Sequence, residues 1–180
     1  LFPVLSKIQN DLPKFKKVVI KSTGIISFIT LLLLGGLYLV ADELIVLLLG
    51  EKWHSSVFYF KIILLSGFAY PISALMVNVL SSRGKSKAFL RLEIYKKIMQ
   101  SFTLIILFYF DIYAFLYSLI IFSILATSLN IKYATREIGL PFIRIARPVV
   151  IQALIAVCVV ISIQFLVKDI QLTELLLIIL

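Results

Sequence analysis

Four uninterrupted apolar stretches of membrane-crossing length decide what this chain can fold into. Ser22 to Ala41 runs for 20 residues without a charged side chain, Ile62 to Ser82 for 21, Ile112 to Ile131 for 20 and Val149 to Val167 for 19. A hydrocarbon core about 30 Å thick takes about 20 helical residues to cross. Backbone groups in lipid must be satisfied within the structure that spans it, which leaves helices or closed barrels. Barrel strands would read as alternating segments of roughly 10 residues. These runs are continuous, so the sequence predicts an all-α, multi-pass transmembrane bundle. Composition agrees, with 62% of residues hydrophobic and 15% charged, against roughly 45–50% and about 25% in soluble domains.

A shorter run, Ile98 to Phe110, has 13 residues and would cover only about 20 Å as a helix. A full span there must borrow from Phe89 to Lys97, and so takes in Lys96 and Lys97. The sequence therefore predicts one membrane domain over residues 1–180. It has a lead-in over 1–17 and spans near 18–41, 57–82, 89–110, 112–133 and 148–167, with a truncated sixth at 173–180. Leu44 to Gly50 is too short to cross and reads as a helix end or a short interfacial helix. Asp11 ahead of Pro13 suits a helix start. Pro148 opens the last full run, Pro141 suits a loop, and Pro71 falls mid-span, where a kink is expected. Gly35-Gly36 suits close packing or bending. A chain that starts at Leu1 and ends within an apolar run is expected to be an internal piece of a longer membrane protein.

The net charge of +9 suggests nucleic acid, but its placement does not. Lys plus Arg in successive inter-span segments number 5, 2, 6, 0, 4 and 1. Strict alternation of this kind matches the positive-inside rule and puts loops 1–17, 83–97 and 132–147 in the cytoplasm. Trp53, Phe58, Tyr59, Phe60 and Tyr113 fall at the predicted outer ends, as interfacial aromatics do. Basic loops also attract anionic lipid heads. No folded basic surface with stacking aromatics is available to bind nucleic acid.

Chemistry is sparse. One Cys and one His exclude a disulfide framework, a redox pair and a Cys/His metal site within the chain. No pair of carboxylates shares a span, and no catalytic motif is present, so neither an enzyme nor a cofactor is expected. Lys96 and Lys97 are the sharper feature, because a lysine at mid-membrane costs roughly 2.5–3.5 kcal/mol on insertion scales. Two readings stay open. The lysines snorkel toward the cytoplasm with Glu93 as partner, or one faces a water-filled cavity and meets an anionic group such as a lipid pyrophosphate. Lys61 poses the same question near the outer side. Ser73, Asn78, Gln100, Asn130, Gln152 and Gln164 read first as interhelical hydrogen-bond formers.

Leu1-Phe2-Pro3-Val-Leu-Ser6-Lys-Ile-Gln9 resembles the Phe-Pro-x-x-Ser-x-x-Gln segment of polysaccharide flippases. Leu48-Leu-Gly50-Glu-Lys-Trp53 resembles their Leu-Leu-Gly-x-x-Trp turn. Pro71-Ile-Ser-Ala-Leu, then Leu80, Gly84 and Leu92-Glu93, follow in the family's order. The resemblance covers roughly residues 1–100 by motif. It is to the oligosaccharide and polysaccharide flippase branch of the superfamily that also holds multidrug exporters and lipid II flippases. It implies 12–14 helices in two bundles, this chain being the second, in the bacterial inner membrane. It also implies transport of undecaprenyl-pyrophosphate-linked oligosaccharide by alternating access, with coupling to protons or sodium ions left open. Charge depth then nominates Lys96 and Lys97, followed by Arg91 and Lys61, as cationic cavity groups. A multidrug exporter, or a membrane polymerase or glycosyltransferase, is the alternative.

Overall fold

The computed structural model describes the backbone of residues 2–179 and the side chains of residues 2–85 and 87–167. Among these, all regular structure is helical: α1 (Phe2–Lys7), α2 (Leu12–Leu39), α3 (Ala41–Leu49), a 3₁₀ turn (Glu51–Ser56), α4 (Val57–Gly67), α5 (Tyr70–Ser82), α6 (Ser86–Tyr109), α7 (Ile112–Glu137) and α8 (Phe142–Ile179). Four stretches are long and apolar enough to cross a membrane: Leu12–Leu39, Glu51–Ser82, Ile112–Glu137 and Phe142–Val167. α6 has 24 residues, about 36 Å of helix, but its apolar stretch is interrupted by Glu93, Lys96 and Lys97. It is long enough to cross and less apolar than the others. The expected truncated sixth span, 173–180, lies outside the fully described residues.

The helices begin where local chemistry starts them. Asp11 caps α2, its carboxylate accepting the Lys14 N–H at 3.1 Å, with Pro13 in the first turn. Asp111 caps α7 in the same way through the Ala114 N–H at 2.7 Å. The last described span starts earlier than Pro148 suggests. α8 opens at Phe142 just after Pro141, and Pro148 rides inside it. The missing N–H of Pro148 falls within the first two turns of α8. Arg144 and Arg147 are therefore helical residues rather than loop residues.

Lys14, Lys16, Lys17 and Lys21 likewise ride on the first turns of α2. These basic ends tie the bundle together. Lys16 Nζ donates to the Gly139 carbonyl beyond α7 at 3.1 Å, Arg83 Nη1 to the Gln9 carbonyl at 2.6 Å, and Lys85 pairs with Glu137 at 3.0 Å. The principal core sits in this half, built on Phe15, Ile72, Met76, Leu80, Leu92 and Ile145. At the opposite end, Ala41, Ile45 and Val57 form a small second cluster. Phe58, Tyr59 and Tyr113 pack ring against ring there, with centroids 5.5–6.0 Å apart. The basic ends of the long helices thus gather on one side and the aromatics on the other.

Gly35 and Gly36 are not demanded by packing. A Cβ on Gly35 would meet Val160 at an ordinary 3.5 Å, and one on Gly36 would meet nothing within 4 Å. α2 continues through both as helix.

Candidate functional site

Pro71 lies where its span is locally interrupted. α4 ends at Gly67 and α5 begins at Tyr70 with Pro71 in its first turn. Phe68 (φ −59°, ψ −34°) and Ala69 (φ −82°, ψ −15°) keep right-handed helical dihedrals, so the break is a local interruption of hydrogen bonding within one span. Proline has no N–H to offer the carbonyl four residues back, and its ring crowds that carbonyl. Backbone groups freed inside a membrane need partners from a neighbouring helix. α7 supplies them. Ser123 Oγ donates to the Ser66 carbonyl at 2.6 Å, and Thr127 Oγ1 donates to the Ala69 carbonyl at 3.3 Å. One turn further on, Asn130 Nδ2 donates to Ser73 Oγ. Ser123, Thr127 and Asn130 thus form one polar stripe, at spacings of four and three, along the face of α7 that meets the broken span.

A groove of about 390 Å³ opens at this break, between α4, α5, α6 and α7. Its polar lining includes Ser66, Tyr70, Ser123 and Thr127, and on α6 Glu93, Lys96, Lys97 and Gln100. The α6 residues follow at spacings of three, one and three, which puts them on one helical face. Lys96 lies roughly 15 Å from the basic end of α6 and about 20 Å from its other end. The break at 68–69 and the hydroxyls at 123 and 127 fall near the middles of their own spans. The groove therefore sits at mid-height. Lys96 is paired with Glu93, its side chain 16% exposed and that of Glu93 32%. Lys97 Nζ donates to Gln100 Oε1 at 3.2 Å.

The other nominated cations are elsewhere. Arg91 is exposed and, two residues before Glu93, projects from another side of α6. Lys61 is held by Asp42 of α3 and lies 5.5 Å from the centre of the Tyr38 ring, toward the aromatic end. His54 is near the same carboxylate, at 3.9 Å. The structure thus brings Lys96, Lys97 and Glu93 together and leaves Arg91 and Lys61 outside the groove.

The motif residues serve the backbone. Ser6 Oγ donates to the Pro3 carbonyl at 3.1 Å, closing α1 on itself while Phe2 stays exposed. Gly50 has φ +89° and ψ 164°, a region open essentially to glycine alone. Its carbonyl accepts the Trp53 N–H at 3.0 Å. Gly84, at φ +67°, turns the chain from α5 into α6. Asn78 is half-buried on α5.

A second groove of about 440 Å³ lies between α2, α4, α7 and α8, lined by Leu31, Gly35, Leu64, Ala156 and Gln164 among others. It holds no charged side chain, and a further groove of about 440 Å³ at the basic end is lined by Arg144 and Arg147; the 390 Å³ groove differs from both in carrying charges of both signs at mid-height. Tyr70, Ser123 and Thr127 did not stand out in the sequence. The signal was present, since hydroxyls and an amide at 123, 127 and 130 recur at helical spacing inside an otherwise apolar span. Only their partner, the break at Pro71, gives them meaning. Among the described residues no cluster of His, Cys, Asp and Glu could hold a metal ion.

Residues 1–58 match a family model described as polysaccharide biosynthesis protein. The chain is also similar to a Klebsiella pneumoniae protein described as an uncharacterized membrane protein in cps region. The two are 29% identical over 99 residues, which make up 55% of this chain and 20% of that protein. The match thus spans one fifth of that relative's length. No solved structure matches. The apolar helices and both similarities support a membrane protein with a role in polysaccharide biosynthesis.

Proposed function

We propose that this chain is the second bundle of a flippase that moves undecaprenyl-pyrophosphate-linked oligosaccharides across the bacterial inner membrane. In this reading α6 is a fifth full crossing, and the basic ends of the helices face the cytoplasm. The lipid-linked sugar enters from that side, its pyrophosphate reaches Lys96 and Lys97, and a companion first bundle rocks against this one to open the path outward. The protein carries out transport, not bond chemistry, and any coupling proton or sodium ion is handled by the whole transporter.

One observation carries the reading: two lysines lie at mid-height in a groove beside a broken spanning helix. Ionisable groups at that depth are costly and mark pathways for polar cargo. Discontinuous helices at the midplane are where transporters build such sites. The sugar portion needs room the groove alone does not give, which is why the companion bundle belongs to the proposal.

The test replaces Lys96 and Lys97 together by glutamine in the full-length gene. Loss of surface polysaccharide, with complete lipid-linked units retained on the cytoplasmic face, is the expected result. Normal export from the doubly substituted protein, present at parental levels, overturns the proposal. In a deletion strain, normal polymer with altered drug sensitivity would point to an exporter of drugs instead. Truncated sugars, or units flipped but not polymerised, would point to an enzyme.

A further inference from the structure

The two groove lysines are not equivalent. Lys96 is neutralised by Glu93 three residues before it on the same helix, whereas Lys97 is met by a neutral amide, that of Gln100. Lys96 is also well covered, at 16% side-chain exposure. A poorly solvated ammonium without a counter-charge is costly, so an empty groove keeps Lys96 compensated. Glu93 is the more exposed partner, at 32%, and is the one with room to move. The three charges sum to +1, and only Lys97 is unopposed by a carboxylate.

We infer that Glu93 is a built-in counter-anion that an incoming anionic group must displace from Lys96. This deepens the flippase reading and rests on the groove binding an anion. A singly charged group finds one uncompensated cation, Lys97, and gains little by competing for Lys96. A group bearing two negative charges can match both lysines once Glu93 turns toward the open side. The pairing therefore sets a charge threshold for occupancy. It also helps release, because Glu93 re-forms its bond as the ligand leaves. Glu93 is thus a specificity-determining residue rather than a simple helix-surface partner.

The experiment titrates inorganic pyrophosphate into the full-length protein in nanodiscs of zwitterionic lipid, whose heads carry no net charge to compete. Glu93→Gln removes the counter-charge and keeps the size. It should tighten pyrophosphate binding roughly tenfold, the scale expected when one nearby like charge is removed from a partly buried site. It should also reduce the preference for pyrophosphate over a singly charged anion such as chloride. Adding Lys96→Gln should abolish the gain. Glu93→Asp, which keeps the charge, should bind within about twofold of the parent, as expected if charge rather than size sets the threshold. A tenfold gain there would show that loosened packing is responsible and overturn the inference. If Glu93→Gln does not fold, Glu93→Met reads the same quantity. Parental binding with no tightening in the neutral variants sinks the counter-anion role and leaves the cationic groove standing. No pyrophosphate binding by the parent or any variant sinks the groove reading and this inference together.

Discussion

Replacing Ser123 by alanine tests whether α7 supports the break in the second span. Alanine removes only the hydroxyl that donates to the Ser66 carbonyl at 2.6 Å. Leaving a buried carbonyl unmet costs about 1–3 kcal/mol in water-soluble proteins. Interhelical hydrogen bonds in membranes average about 0.6 kcal/mol and reach about 1.7 kcal/mol, because segments unfolded within lipid also find partners. The membrane range applies here. The Ser123 bond is short for an O–H···O contact, so Ser123→Ala should cost about 1–1.7 kcal/mol, the upper part of that range. Thr127→Val is the matched control. Its bond is longer, at 3.3 Å, and its acceptor, the Ala69 carbonyl, already receives the Ser73 N–H at 2.9 Å. It should cost under about 0.5 kcal/mol, below the membrane average. Reversible unfolding of the full-length protein in bicelles reads both. Hydrogen exchange should rise at amides 67–70 in the serine variant alone. Equal costs for the two variants, or no change at 67–70 after Ser123→Ala, would refute the assignment of α7 as the support for the break.

Two further substitutions separate backbone strain and charge placement from packing. Gly50→Ala should destabilise by about 1–3 kcal/mol, since its backbone region excludes side chains although nothing lies within 4 Å of the added Cβ. Gly36→Ala, equally open but helical, should be neutral or stabilising by up to about 1 kcal/mol. Thermal unfolding distinguishes them, and similar effects at both sites would count against the strain argument. Lys61→Gln removes a partly exposed pair with Asp42, worth about 0–1 kcal/mol. It should leave export intact where Lys96→Gln impairs it. Export lost equally in both would return Lys61 to the substrate path.

The long helices were legible because apolar runs and membrane thickness share a length scale, and because Asp11 and Asp111 sit where a first turn needs an acceptor. Two boundaries were not. Pro141 lies outside the helix as its loop placement predicted, but Pro148, expected to open the last full run, rides inside α8, which begins six residues earlier at Phe142. At Pro71 the sequence predicted a bend, but how the interruption is supported depends on which side chains donate to the nearby carbonyls, and those donors lie more than fifty residues away on α7. The candidate site divided in the same way. The depth of Lys96 and Lys97 follows from counting along one helix. That Arg91 projects from another side of the same helix follows from its phase. That Lys61 already has a carboxylate follows only from the packing of α3 against α4.

The break and the lysines account for each other physically. Two ammonium groups at mid-height are tolerated only where water or polar atoms can reach them. An unbroken second span would present apolar side chains at that height, and its carbonyls would be closed into their own helix. Around the interruption between Gly67 and Tyr70, Ser66, Tyr70 and Ser73 line the same opening that α6 lines with Glu93, Lys96 and Lys97. Ser123 and Thr127 hold that interruption in place. The polar side chains that line the groove thus come from four helices, α4 to α7. The charge of α6, a weakness when it is judged as a membrane span, is what the interrupted helix beside it accommodates.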